Sequence, residues 1–245
     1  MRNKIVLLAA CALQLFGLYL LGSVAWDLTH LPGIGGLRDH NPAVTAMMEQ
    51  RAAEAKAKKR SFHPYQVYVP YGAISDDLKH AVLIAEDDVF FSHGGVDYAE
   101  IREAIRTDWR KKRWAYGGST ITMQLAKNLF LSTRKTLTRK VSEYFLALRL
   151  DDALPKARIL ELYLNYIEWG DGIFGCEAAS RAYFGCTAAD LSPEQAIRLA
   201  STIVNPRRYG PYTDTKRMLN RRMMIADRMV ISKYLTPEQR AALPF

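Results

Sequence analysis

From Ile5 to Trp26 the chain carries no charged side chain, and Leu, Ala, Val and Phe dominate. No other feature limits the fold as tightly. At about 1.5 Å per residue, a helix of this length crosses a bilayer core of about 30 Å. Arg2 and Lys4 precede the run, and the residues just after Trp26 are poor in Lys and Arg. The positive-inside rule then puts a short tail in the cytoplasm and the rest of the chain outside. A cleaved signal peptide is the competing reading, but the run is long for an h-region and no small-x-small cleavage site follows it. The expected layout is a tail and transmembrane anchor over 1–27, a connector with a charged helix over 28–62, and one extracytoplasmic domain over 63–245.

The chain has 245 residues, of which 49% are hydrophobic, enough for one domain with a real core. Its formal net charge of +9 favours anionic partners: nucleic acid, phospholipid headgroups or a phosphorylated substrate. Cys11 lies in the apolar run. Cys176 and Cys186 are expected free, because a helix between them holds their Cα atoms further apart than a disulfide permits.

Most of the remainder reads as helix. Leu31 to Pro42 is a Gly/Pro-punctuated connector, and Ala43 to Arg60 is a charged helix ending in Lys56-Ala57-Lys58-Lys59-Arg60. That basic run is either a solvated face or an attraction to anionic lipid. Gln66 to Tyr71 is the only clear strand-like patch. Ser75 is an N-cap candidate for Leu78, Ala81, Val82 and Ala85 at helical spacing. Leu137, Val141, Phe145 and Leu148 form a second such face, and Ile159 to Tyr166 is a helix following Pro155. Ser192-Pro193-Glu194-Gln195 and Thr236-Pro237-Glu238-Gln239 are capping boxes with proline at the first helical position. The fold class is mainly α, without internal repeats.

Residues 86 to 128 hold the chemistry. Glu86 lies four residues after Val82, on the apolar face of its helix, where lost hydration raises a carboxyl pKa and suits a general base or acid. A helix-end carboxylate turned to solvent or paired with an arginine is the alternative. Asp87, Asp88 and His93 stand close by, and His93 alone reads as a structural hydrogen-bonder. Gly117-Gly118-Ser119-Thr120 is a turn into a helix. Its backbone N–H groups either hold an anion, or Ser119 or Thr120 caps the helix. Gln124, Lys127 and Asn128 follow along that helix, with Lys127 positioned to face a phosphate. Glu143 shares its face with Leu146, Ala147 and Leu150 on a helix apolar nearly all round. It is expected to be buried and paired with Arg139 or Lys140, either as a structural ion pair or as a second carboxylate steering a diphosphate, its cation or a sugar.

Trp109-Arg110-Lys111-Lys112-Arg113-Trp114 interleaves indoles with cations. Beside a membrane anchor, an interfacial role is more economical than base stacking, so no nucleic-acid partner is expected. Metalloprotease, nucleophile-elbow, P-loop and Rossmann motifs are absent. Ser132-Thr133-Arg134-Lys135 matches S-x-x-K without its S-D-N and K-T-G companions, so it reads as chance.

In order, these blocks resemble the peptidoglycan glycosyltransferases (glycosyltransferase family 51), nearest to the monofunctional, membrane-anchored type. Tyr68-Val69-Pro70-Tyr71 with Ile74-Ser75 looks like the family's opening segment. Glu86-Asp87 through Phe90, His93 and Gly95 looks like the first catalytic motif. Gly117-Gly118-Ser119-Thr120-Ile121 with Gln124, Lys127 and Asn128 looks like the second, and Arg139-Lys140-Val141-Ser142-Glu143 the third. Glu161 to Asn165, then Gly170, Gly175, Glu177-Ala178-Ala179 and Tyr183-Phe184, looks like the fourth. Leu199-Ala200 with Asn205-Pro206 and Tyr209 resembles the last. The likeness covers about residues 64 to 215.

The resemblance implies a lysozyme-like helical domain on the outer face of the cytoplasmic membrane. It implies polymerisation of lipid II into β-1,4-linked glycan with inversion at the donor carbon, the lipid-linked growing chain being the donor. It makes Glu86 the general base and Glu143 the second glutamate, and it gives Lys127, Arg139 and Lys140 the leaving diphosphate. Asp87, His93, Gly118, Ser119, Thr120, Gln124, Asn128 and Asn165 become substrate-binding positions. A divalent cation, Mg2+ or Mn2+, is allowed with Glu143 as its ligand, and no organic cofactor is expected. The family usually has arginine eight positions before the second glutamate. Here Lys135 stands there with Arg134 beside it, and a lysine is not a bidentate fork. The two carboxylates are expected to be well separated, because a diphosphate and two sugars need more room than the retaining spacing of about 5 Å. No transpeptidase domain fits after residue 215, so cell-wall synthesis proteins, including a transpeptidase, are the expected partners. A lysozyme-like hydrolase or lytic transglycosylase is the alternative enzyme, and a membrane tether for wall synthesis the non-enzymatic one.

Overall fold

The computed structural model describes residues 2–111, 118–131 and 136–245; within these it leaves aside the side chains of residues 2, 3, 5–10, 12, 13, 16, 20, 27, 28, 108, 111 and 137. The chain is mainly helical. Helix α1 is Arg2–Thr29. At its C-terminal end the Trp26 and His30 rings stack 4.0 Å apart. Among the side chains so described, no helix is long and apolar enough to cross a membrane.

The connector holds one 3₁₀ turn, Gly35–Arg38. Helix α2 (Ala46–Ala57) begins three residues later than its charge pattern suggests, because Thr45 caps it by accepting from the Met48 N–H. It ends where Lys59 turns to a left-handed φ of 54°. The strand expected over Gln66 to Tyr71 shrinks to β1, Tyr65–Gln66. Val69 instead bonds through both backbone groups to the Asn165 side chain, so this stretch is extended but pairs with an amide rather than a strand.

Helix α3 (Asp76–Glu86) follows the expected spacing, with Leu78, Ala81 and Val82 fully buried. Ser75 precedes it without capping it, its hydroxyl donating instead to the Leu191 carbonyl. Helix α4 is Tyr98–Lys111. Helix α5 (Ile121–Phe130) is capped by Thr120, and helix α6 (Leu137–Ala153) by Thr136. On α6 the buried face carries Glu143, Leu146, Ala147 and Leu150, while Phe145 is 38% exposed. The helix is therefore not buried all round, and the stripe through Phe145 is only partly covered. Helix α7 (Lys156–Tyr166) follows Pro155 as anticipated.

Two short strands, β2 (Glu168–Gly170) and β3 (Ile173–Phe174), were not anticipated. They complete a three-stranded sheet in the order β1-β3-β2, with a register shift between Glu168 and Gly170. Gly175 opens helix α8 (Cys176–Phe184) at φ 82°, and a Cβ there would lie 2.7 Å from the Asn165 carbonyl oxygen. Cys11, Cys176 and Cys186 are all free. Helices α9 (Pro193–Thr202) and α11 (Pro237–Ala241) both start with complete capping boxes. Helix α10 (Lys216–Ile231) lies between them in sequence.

Helix α5 is central: it packs on α2, α6 and α7, while α3 packs on α9 and α10. Most buried apolar side chains of these helices belong to one main core cluster, including Leu78, Val82, Leu125, Leu146, Leu160, Leu199 and Ile225, while Met123 and Ala147 form a smaller one with Val96. Gly95 lets the loop after α3 touch α6, since a Cβ there would lie 2.2 Å from the Ala147 carbonyl oxygen. The end of α3, the face of α5 and the start of α6 are thereby brought together.

Candidate active site

Glu86 is the last residue of α3, and its side chain is 13% exposed. Oε2 accepts from Gln124 Nε2 at 3.0 Å, and Oε1 accepts from Arg221 Nη2 at 2.5 Å. Burial pushes the Glu86 carboxyl up, against the opposing pull of Arg221, Gln124 and Lys127. Both open readings of this residue therefore meet: it is desolvated on the apolar side of its helix, and it is paired with an arginine.

Gln124 is itself held. Its Oε1 accepts from the Tyr163 hydroxyl at 2.9 Å, and Nε2 also reaches the Ser119 carbonyl at 3.4 Å. Ser119 Oγ accepts from Lys140 Nζ at 2.7 Å, and the same ammonium donates to Glu143 Oε1 at 2.5 Å. A continuous polar chain thus runs from Glu86 through Gln124, Ser119 and Lys140 to Glu143. Glu143 is 3% exposed, and its other oxygen accepts from Arg139. The expected pairing with Arg139 or Lys140 is found with both.

The Lys127 ammonium makes no hydrogen bond and no ion pair among the described residues. Burial lowers its pKa, opposed by Glu143 and Glu86 and reinforced by Arg139 and Lys140. It is an uncommitted cation in the field of both glutamates, suited to an anionic ligand. Glu86 also lines a cavity of about 460 Å³ whose wall includes Asp88, Asp97, Glu100 and Arg228. Burial, together with Asp87, Asp97 and Asp88, pushes the Glu100 carboxyl up. Lys127, Arg139 and Lys140 thus gather around Glu143, whereas the cavity wall beside Glu86 is mainly acidic, with Arg228 paired to Asp88.

Several expected binding positions do structural work. Asp87 is 5% exposed; Oδ1 accepts from His93 Nε2 at 2.8 Å, and Oδ2 from the Ile121 N–H at 3.0 Å. Asp87 thus satisfies the first N–H of α5 from outside that helix. Thr120 is fully buried, accepting from the Met123 N–H and donating to the Gly95 carbonyl at 2.7 Å. At Thr120 the cap reading holds. Gly118 lies against α4, a Cβ there falling 3.3 Å from Ile101 Cα. Asn128 Nδ2 donates to the Gln124 carbonyl. Asn165 is fully buried and committed to Val69 and to the Glu161 carbonyl, which puts it out of reach of a ligand. Beside it, Glu161 accepts from the Tyr68 hydroxyl and from the Tyr71 N–H at 2.7 Å, so α7 pins the opening segment. Gly117, Arg134 and Lys135 lie outside the described residues, as does the stretch from Lys112 to Trp114.

The donor set does not suit a divalent cation at Glu143. Both of its oxygens are taken by cations, and no group of three His, Cys, Asp or Glu able to hold a metal occurs among the described residues. Arg221 is the residue that sequence reasoning missed. It lies 135 positions from Glu86, on a helix whose Lys216, Arg217, Arg222 and Arg228 make it look like an ordinary basic surface.

A family model described as transglycosylase matches residues 53–230. Three similar proteins are each named biosynthetic peptidoglycan transglycosylase. The one from Nitrosomonas eutropha is 41% identical, covering 94% of this chain and 90% of that protein. The one from Thiobacillus denitrificans is 43% identical, covering 92% and 93%. The one from Aromatoleum aromaticum is 48% identical, covering 69% and 74%. With a matched model over most of its length and relatives aligned nearly end to end, this chain belongs to the transglycosylase family.

Proposed function

We propose that this protein is a peptidoglycan glycosyltransferase that joins lipid II units into glycan strands for the cell wall. The observation that carries the reading is the placing of a desolvated, doubly hydrogen-bonded Glu86 beside the uncommitted Lys127 and the Arg139–Lys140–Glu143 cluster.

In this reading Glu86 takes the proton of the acceptor's GlcNAc 4-hydroxyl. The hydroxyl oxygen bonds to the donor's anomeric carbon on the face opposite the diphosphate. The bond from that carbon to the diphosphate oxygen breaks, and undecaprenyl diphosphate leaves with the electron pair. The result is a β-1,4 linkage with inversion and a proton left on Glu86. The growing charge on the leaving group is met by Lys127, Arg139 and Lys140, cations already in place before reaction. Glu143 holds the last two in register. Asp87, His93 and Thr120 set the angle between α3 and α5, and so the distance between base and cations. No step needs a metal or an organic cofactor.

The same reading assigns α1 as the membrane anchor, with its N-terminus in the cytoplasm and the catalytic domain on the periplasmic side. Its support is the uncharged run Ile5–Trp26 with Arg2 and Lys4 before it, a 28-residue helix, and the exposure of Leu15, Leu18, Tyr19, Leu21 and Trp26.

The test is polymerisation of labelled lipid II by the full-length protein in detergent. Lysozyme-sensitive polymer is expected, and Glu86→Gln should abolish it while folding and membrane localisation persist. A Glu86→Gln protein polymerising at the full rate sinks the assignment of the base.

A further inference from the structure

We propose that Arg221 is the positioning residue that keeps Glu86 ionised and aimed for proton abstraction, an inference that rests on Glu86 being the base. Arg221 stands on α10, and Nη2 reaches two groups at once: Glu86 Oε1 at 2.5 Å and the Ala85 carbonyl at 3.4 Å. The second contact satisfies a carbonyl at the C-terminal end of α3, where helical partners run out. One guanidinium therefore fixes both the backbone that carries the base and the carboxylate itself. With Oε2 held by Gln124, the carboxylate cannot rotate freely, and its remaining lone pairs have defined directions.

Arg221 Nε is buried without any hydrogen-bond partner. An orphaned donor weakens a fold. The contacts with Glu86 and the Ala85 carbonyl must offset that cost.

The groups facing Glu86 define what Arg221 adds. From α5 come Gln124 and Lys127, from α7 Tyr163 and from α10 Arg221, while Asp87 lines the cavity next to Glu86. Across the cavity stand Asp88, Asp97, Glu100, Glu103 and Arg228, the last paired with Asp88. Helix α9 packs on α3 but keeps Arg198 on Glu194 and the Pro211 carbonyl. Lys127 is also in the field of Glu143, and the carboxylates across the cavity favour the protonated form. Arg221 is the one cation in direct contact with Glu86 among the described residues. Its loss would leave burial opposed only by Gln124 and by the more distant Lys127.

The test compares the pH dependence of lipid II polymerisation by the full-length wild type, Arg221→Gln and Arg221→Lys. An opposite charge in contact favours ionisation. Its removal should therefore move the acid limb of kcat/KM upward by about one pH unit or more. Arg221→Gln should then lose activity near neutrality and regain part of it at higher pH. Arg221→Lys should hold the acid limb near the wild-type position but lower kcat, because a freely rotating ammonium lacks the fixed donor directions of the planar guanidinium that aim the carboxylate. An unshifted acid limb in Arg221→Gln overturns the ionising role, whatever its overall rate. A wild-type kcat in Arg221→Lys overturns the aiming role, and this arm stands even where the Gln variant does not fold. Glu86→Gln is measured alongside: if it is dead while the Arg221 variants behave as wild type, only this inference falls. If it is fully active, the reading of the base falls with it.

Discussion

The Tyr163 hydroxyl donates to Gln124 Oε1 at 2.9 Å, and this contact decides which end of the amide faces Glu86. With the oxygen occupied, Nε2 is turned to the carboxylate. Burial holds the Tyr163 hydroxyl well above its ordinary pKa, so it remains a donor throughout the working pH range. Tyr163→Phe should free the amide to flip and present its oxygen to Glu86. A neutral buried hydrogen bond is worth about 1 kcal/mol, so kcat should fall roughly five-fold with KM little changed. Steady-state kinetics on lipid II checks this, and an unchanged kcat would show that the amide needs no lock.

Lys127 should separate activity from stability. Its ammonium has no protein partner among the described residues, so Lys127→Met should cost activity heavily, about 10²- to 10³-fold in kcat/KM. Folding should not suffer, because the variant no longer buries an unpaired ammonium. The pH dependence has a definite sign. The folded-state pKa is lowered from 10.5, so between the two values the unfolded chain binds more protons than the folded one. Stability from this group therefore rises with pH in that window. Thermal melts should show wild type gaining on Lys127→Met as pH rises toward 10.5. A gap that widens in the variant's favour would contradict the assigned burial.

The buried Arg139–Glu143 pair should be strongly coupled. Removing Glu143 leaves two cations converging on an empty position, and breaking a buried pair costs about 3–5 kcal/mol. Arg139→Gln with Glu143→Gln should be less destabilising than the sum of the single changes, by about 1–3 kcal/mol. Denaturant melts of the four proteins measure that coupling. Additive losses would mean that Arg139 and Glu143 do not act as a unit.

What the sequence discloses follows from how far its reasons reach. The capping boxes at Ser192 and Thr236 were legible because every participant lies within three residues. The apolar face of α3 was legible for the same reason, and it led to Glu86. The strands β2 and β3 were not, since two- and three-residue strands carry no periodicity and are held by β1, about a hundred positions earlier. Asp87 read as a companion carboxylate because nothing local shows that it satisfies the Ile121 N–H, 34 positions on. Arg221 was invisible because a basic helix offers no sign of which arginine turns inward. The fold class and the two glutamates were thus within reach of pattern and family resemblance. Which neighbours serve the ligand and which serve the fold depended on long-range pairing.

Asn165 tests that last distinction. It sits in the fourth motif, where the family resemblance gives it a substrate, yet its amide bonds the Val69 N–H and carbonyl at 2.9 Å each and the Glu161 carbonyl at 2.8 Å. Asn165→Ala would leave both backbone groups of Val69 without these partners in a part-buried segment. At about 1–3 kcal/mol for each orphaned group, the loss should total roughly 2–4 kcal/mol after partial rehydration. The opening segment, also tied to α7 through Tyr68, Tyr71 and Glu161, should become the first part of the domain to exchange its amide hydrogens. Well below the lowered melting temperature, KM for lipid II should stay near the wild-type value, because the buried amide is already committed to Val69 and the Glu161 carbonyl. A substrate-binding role predicts the reverse: an unchanged melting temperature and a raised KM. Hydrogen exchange and a KM measurement on one purified variant therefore decide whether this asparagine belongs to the wall of the cleft or to its contents.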